Sequence, residues 1–265
     1  MIHISAYAKI NWSLRITGKR ADGFHDLETL FQTISLHDTL TFEESDRLTL
    51  TCDDPSIPVD DSNLVLRAAR ALGAPPVAIE LRKAIPAGGG LGGGSSDAAA
   101  TLKTLSRHFD RPLDDLALSL GSDVPFFLLG GTAYATGRGE VLTPMPPAAD
   151  IPLLLVMPEE RVSTARAFAA LTRFSPPIGI ARYQSMIDDG LLSHATELVN
   201  DFEAPIFKQI PRLGNLKTRL LEAGAAWAGM SGSGSTIVGA FRNEGERDAA
   251  RSRFTDTHTV TAETI

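Results

Sequence analysis

The chain predicts an α+β fold in two domains, residues 1–149 and 150–265, built on mostly antiparallel sheets. Three observations carry this reading. Polar and apolar residues alternate along 2–14 as in a half-buried strand. A glycine-rich run at 86–96 joins a strand pattern at 77–83 to a helix pattern at 96–109. Strand and helix patterns continue on both sides of a proline cluster at 144–152 without a regular βαβ rhythm, and that cluster is the expected domain boundary.

Along the first strand, Ile2, Ile4, Ala6, Ala8, Ile10, Trp12 and Leu14 share one face, and His3, Ser5, Tyr7, Lys9, Asn11 and Ser13 the other. Strands are expected next at 29–36, 38–43 and 47–52. Residues 62–72 carry helical spacing through Leu64, Val65, Ala68, Ala69 and Leu72 and stop at Gly73. After the strand at 77–83, the glycine run and the helix at 96–109, a further helix entry is read at 113–116. The second domain is expected to open with a strand at 153–157 and a helix at 163–172. Helices near 180–192, 203–209, 212–223 and 244–253 and strands at 225–230, 235–241 and 257–262 complete it.

With 265 residues, 43% of them hydrophobic and 22% charged, the chain can bury a substantial core. A net charge of −7 argues against nucleic-acid and membrane-surface partners, which call for a basic face. The N-terminus lacks a basic stretch followed by a long apolar core, and the apolar run at 151–157 is too short to span a bilayer, so a cytoplasmic location is expected. Cys52 is the only cysteine, which excludes an internal disulfide and a thiolate cluster; it reads as a small buried residue on a strand.

The run Pro86, Ala87, Gly88, Gly89, Gly90, Leu91, Gly92, Gly93, Gly94, Ser95, Ser96 is the strongest chemical signal. Glycine admits positive φ and lets backbone N–H groups approach a ligand, and a helix N-terminus adds unpaired donors and a positive dipole end. Phosphate is the expected guest. Ser95 or Ser96 is expected to cap the helix and to offer a hydroxyl to a phosphate or metal ion. A flexible linker is the alternative. The run has no Gly-Lys-Ser/Thr ending, so it is not a Walker loop. Gly88, Gly90 and Gly93 match the dinucleotide spacing, but the second strand that fold needs is missing.

Four smaller constellations stand beside it. Lys9 and Asn11 point to one side of a strand, either to converge on a ligand or simply to be solvated. Gly121-Ser-Asp-Val-Pro-Phe-Phe127 offers a carboxylate, Asp123, either as a helix cap or as the group that receives a hydroxyl proton in phosphoryl transfer. Met230-Ser-Gly-Ser-Gly-Ser-Thr236 is a bare turn or a close backbone approach. Phe24 and His25, adjacent in a loop, either pack or stack and hydrogen-bond a flat ring.

Taken together, Ala8-Lys-Ile-Asn-Trp-Ser-Leu14, Arg20-Ala-Asp-Gly-Phe-His25, the loop 86–96, Gly121 to Phe127, Asn200-Asp-Phe-Glu203 and Met230 to Ser235 resemble the GHMP kinase superfamily from end to end. The Lys-x-Asn strand followed by Arg-x-Asp-Gly-Phe-His resembles the members that phosphorylate the 2-hydroxyl of 4-diphosphocytidyl-2-C-methyl-D-erythritol, a small-molecule substrate of non-mevalonate isoprenoid synthesis. The resemblance implies a two-domain GHMP fold with the active site in the cleft between halves, and ATP as co-substrate with Mg²⁺. It implies that Asp123 is the catalytic carboxylate, that Lys9 is its charged partner and that Asn11 contacts substrate. It further implies that His25 bonds the cytosine edge, that Phe24 and Phe168 stack on its faces, and that residues 86–96 wrap the ATP phosphates. No residue is assigned to a protein-held metal.

Overall fold

A computed structural model describes residues 1–108 and 112–265, which cluster into two compact units. Unit 1 comprises Met1–Ala8, Leu36–Ala87 and Gly92–Gly130; unit 2 comprises Lys9–Ser35, Gly88–Leu91 and Gly131–Ile265. The units are interleaved along the chain rather than separated by one cut at the proline cluster. Two long strands, β1 (Ile2–Lys19) and β2 (His25–Glu44), pair with each other and contribute residues to both units. β2 fuses the strands expected at 29–36 and 38–43. Asp38, just after the gap between the two expected strands, is fully buried and accepts from the N–H groups of Ala84 and Ile85, so the strand continues through it.

In unit 1, β3 (Thr49–Cys52) pairs in parallel with β4 (Val77–Arg82), and β4 pairs antiparallel with residues 39–44 of β2. The crossover between the parallel strands is α1 (Leu64–Leu72), capped by the Asn63 side chain and ended by Gly73 at φ 71°, which only glycine adopts cheaply. α1 buries Val65, Leu66, Ala68, Ala69 and Leu72. α2 (Gly93–Leu105) passes into a 3-10 turn at Ser106–His108; Phe109, its expected last residue, lies outside the described residues. α3 (Asp114–Leu120) and α4 (Val124–Leu129) follow. Cys52 is half-buried rather than buried, because β3 is the edge strand of its sheet; desolvation still raises its thiol pKa.

In unit 2, residues 29–32 of β2 pair with β5 (Thr132–Thr136), which pairs with β6 (Val141–Pro144). Neither β5 nor β6 follows from the sequence pattern, since the small residues of β5 give weak alternation. A second, wholly antiparallel sheet has the order β10 (His258–Glu263), β7 (Pro152–Met157), β9 (Ile237–Ala240), β8 (Trp227–Met230). Every residue of β7 is buried, as its unbroken apolar run requires. Helices α5 (Thr164–Ala169), α6 (Ile180–Asp188), α7 (Glu203–Gln209), α8 (Pro211–Glu222) and α9 (Glu244–Arg251) complete the unit. Leu213, Leu216 and Leu220 of α8 join Met230, Ile237 and Phe241 in one core cluster, each such side chain contributing about 1.5–3 kcal/mol. Among the described residues, no helix is long and apolar enough to cross a membrane.

Candidate active site

From Lys9 to Leu14 both faces of β1 are buried, so the polar face here is not solvated. Lys9 is 4% exposed, Asn11 3% and Ser13 0%. The Lys9 ammonium donates to Asn11 Oδ1 at 2.8 Å, Asn11 Nδ2 donates to Thr29 Oγ1 at 2.8 Å, and Thr29 Oγ1 donates to the Ser13 carbonyl at 2.6 Å. Lys9 Nζ also lies 5.2 Å from the centre of the Phe31 ring. Burying an ammonium costs free energy even when it is hydrogen-bonded, so this ladder is not explained by stability alone. Thr29 and Phe31 carry no motif of their own; their part follows only from the pairing of β1 with β2.

The glycine-rich run is ordered by close approach. Gly88, Gly90 and Gly92 have φ of 69°, 80° and 73°, values that side-chain-bearing residues rarely adopt. A Cβ on Gly90 would lie 2.0 Å from the Ser231 carbonyl oxygen. Ser231 Oγ donates to the Gly90 carbonyl at 2.9 Å and the Thr236 N–H to the Gly89 carbonyl at 3.2 Å. The run at 230–236 is therefore a buttress for residues 88–91 and not a bare turn. Asn200 fixes the buttress by donating to the carbonyls of Met230 and Gly232 at 2.7 and 2.8 Å. On the other side, the Lys9 N–H donates to the Leu91 carbonyl at 3.0 Å.

At the C-terminal end of the run, α2 starts at Gly93 with Gly92 as its N-cap and no side-chain cap. This corrects the capping role expected of Ser95 or Ser96, which lie inside the first turns. Ser96 is buried, and its hydroxyl donates to the Tyr7 carbonyl at 2.6 Å. The uncapped N–H groups of the first turn suit an anion. Asp123 occupies the N-cap position of α4, with Pro125 in the first turn, and its side chain makes no capping hydrogen bond to that helix.

His25 begins β2, and its ring stacks on Phe168 with centroids 4.7 Å apart and planes at 17°. Phe174 leans on the same imidazole at 6.0 Å. Phe24 is 52% exposed, and the Arg138 guanidinium lies 4.3 Å from its ring centre. Desolvation, helped by the charge of Lys19, lowers the His25 pKa, so the ring is neutral near pH 7 and offers one donor and one acceptor. The segment bearing Phe174 is held by Glu28, whose buried carboxylate accepts from the N–H groups of Ile178 and Gly179 at 2.8 and 2.9 Å.

Lys9, Asn11, Phe24, His25, Phe168 and residues 88–91 belong to unit 2. Pro86, Ala87, residues 92–96 and Asp123 belong to unit 1. Within unit 2 the structure brings Lys9 together with Asn11, and His25 together with Phe168.

Residues 63–131 match the GHMP kinases N terminal domain and residues 186–258 the GHMP kinases C terminal domain. A 4-diphosphocytidyl-2-C-methyl-D-erythritol kinase from Chlorobium luteolum is 44% identical over 94% of this chain and 91% of that protein. One from Solibacter usitatus is 45% identical over 91% of this chain and 81% of that protein. A crystal structure of 4-(cytidine 5'-diphospho)-2C-methyl-D-erythritol kinase superposes with a TM-score of 0.86 at 34% identity, covering 99% of both chains. The chain belongs to the 4-diphosphocytidyl-2-C-methyl-D-erythritol kinase family. It is thus a GHMP kinase with N- and C-terminal GHMP domains and an α+β fold. The Methanococcus jannaschii mevalonate kinase shares the fold alone, at a TM-score of 0.65 and 17% identity.

Proposed function

We propose that this chain transfers the γ-phosphoryl group of ATP to the 2-hydroxyl of 4-diphosphocytidyl-2-C-methyl-D-erythritol, in the non-mevalonate route to isoprenoid precursors. The observation that carries the reading is the buried Lys9–Asn11–Thr29 ladder, an arrangement that costs stability and suits a substrate-facing charge. Family membership supplies the reaction and substrate class. The GHMP domains over 63–131 and 186–258 support an N-terminal GHMP domain preceding a C-terminal one along the chain. A net charge of −7 supports an enzyme without nucleic-acid partners.

The uncapped start of α2 and the left-handed glycines at 88, 90 and 92 fit a polyphosphate, whose oxygens accept from backbone N–H groups. ATP supplies the phosphoryl group, and Mg²⁺ accompanying it would neutralise charge on the phosphates. Mg²⁺ asks for few protein ligands, and the hydroxyl of Ser95, in the first turn of α2, would suit that role. Asp123 accepts the proton of the acceptor hydroxyl as its oxygen bonds to the γ-phosphorus and ADP departs. Lys9 supplies positive charge to the transfer, and Asn11 holds the ammonium's direction. The neutral His25 imidazole matches an edge with both a donor and an acceptor, as cytosine has, while Phe24 and Phe168 provide faces for stacking.

The test is ADP release with the cytidylylated substrate against mevalonate and homoserine, in wild type and in Asp123→Asn. Turnover confined to the cytidylylated substrate, and reduced by about 10²–10⁴-fold in Asp123→Asn, is the expected result. Turnover of another alcohol overturns the substrate, and a fully active Asp123→Asn overturns the base.

A further inference from the structure

Both ends of the glycine-rich loop are fastened to one buried charge cluster of unit 1. The Lys83 ammonium pairs with Asp38, and with Asp97 Oδ2 at 2.9 Å. The three side chains are 7%, 0% and 4% exposed respectively. At the entry to the loop, Asp38 Oδ1 accepts from the N–H groups of Ala84 and Ile85 at 2.6 and 2.8 Å, immediately before Pro86. At the exit, Asp97 is the residue after Ser96 in α2. The first turn of α2 rests on the same segment: a Cβ on Gly93 would lie 3.0 Å from Ile85 Cγ2 and 3.2 Å from Lys83 Nζ.

One cation thus bridges two carboxylates, and the buried Asp97 Oδ1 has no hydrogen-bond partner among the described residues. Burial, only partly offset by Lys83, raises the Asp97 pKa to about 7. A cluster built for stability would be better served by apolar side chains of similar volume. What this cluster does instead is fix the distance between Ala84-Ile85 and Asp97, and so the span that residues 86–96 must bridge. A run this rich in glycine loses much conformational freedom when it closes on a ligand, and fixing its ends in advance reduces that loss.

We propose that Lys83, held by Asp38 and reaching Asp97, is a positioning residue for the nucleotide, clasping the entry and exit of the phosphate loop. The proposal rests on the reading that this loop binds the ATP phosphates. Asp97→Ala opens the clasp while leaving Lys83 and Asp38 as a one-to-one pair, and alanine suits a helix interior. In the full-length protein, Asp97→Ala is expected to raise the Kd and KM for ATP about tenfold, the worth of one charge-assisted hydrogen bond. The KM for the acceptor, kcat and the thermal midpoint are expected to hold. Asp97→Asn keeps an oxygen for Lys83 and is expected to restore ATP affinity. Wild-type ATP affinity in Asp97→Ala, or equal losses for both substrates, overturns the clasp. Gly90→Val, measured in parallel, separates the two ideas. If it abolishes ATP binding while Asp97→Ala does not, the loop reading stands and the clasp falls. If it too leaves ATP affinity intact, the loop reading falls and takes the clasp with it.

Discussion

The two stretches of β1 carry the same alternating pattern and live in opposite environments. In Ile2–Ala8 the polar positions face water: Ser5 is exposed and Tyr7 is 39% exposed, while Ala6 and Ala8 are buried. In the following residues the polar positions Lys9, Asn11 and Ser13 are as buried as the apolar Ile10, Trp12 and Leu14 between them. Alternation therefore fixes which side chains share a face, but not whether that face meets solvent. Where a polar face is buried, each group must find a partner, and the ladder from Lys9 to Asn11, Thr29 and Ser13 is that accounting made visible. That stretch holds the charge to which the proposed function assigns a role in phosphoryl transfer.

The comparison is broken most directly by Lys9→Met, which keeps length and removes charge. A kcat lower by about 10²–10³-fold, with the protein folded by circular dichroism, is the expected outcome. Wild-type turnover would make the buried stretch as inert as the exposed one. Asn11→Leu deprives both Lys9 and Thr29 of a partner, and denaturant unfolding should report a loss of about 1–3 kcal/mol together with lower turnover. Phe24 sharpens the contrast from outside the ladder, being 52% exposed yet assigned to the base. Calorimetry on Phe24→Ala should give a cytidylylated-substrate affinity weaker by about 1–3 kcal/mol and an unchanged ATP affinity. The smallest effect is expected from Ser5→Thr on the solvated stretch, within about 0.5 kcal/mol in stability and without change in kcat.

What the sequence makes legible follows from how local each signal is. The loop at 86–96, the helix of Leu64–Leu72 and the buried strand Pro152–Met157 are written in consecutive residues, and the structure contains them. β5 and β6 escape because short segments of small residues alternate too weakly to stand out. The start of α2 is misread because serine is the commoner cap, whereas Gly92 in the left-handed region takes the position and frees Ser96 for the Tyr7 carbonyl. Thr29, Phe31, Asp38 and Lys83 act through partners up to 47 residues away, as Asp38 does with Ile85, so only strand pairing reveals them. His25 and Phe168 are joined by a family pattern in the sequence and by a ring stack in the structure.

The Ser13 hydroxyl donates to the carbonyl of Val199, 186 residues later, and the Leu14 N–H donates to the same carbonyl at 2.7 Å. A growing chain makes this stretch of β1 well before that partner. At about 5–20 residues per second the interval on the ribosome is roughly 10–40 s. Throughout that time Trp12 and Leu14 belong to a strand whose later neighbours do not yet exist. A nascent chain stalled before Val199 therefore displays an apolar segment suited to chaperone capture.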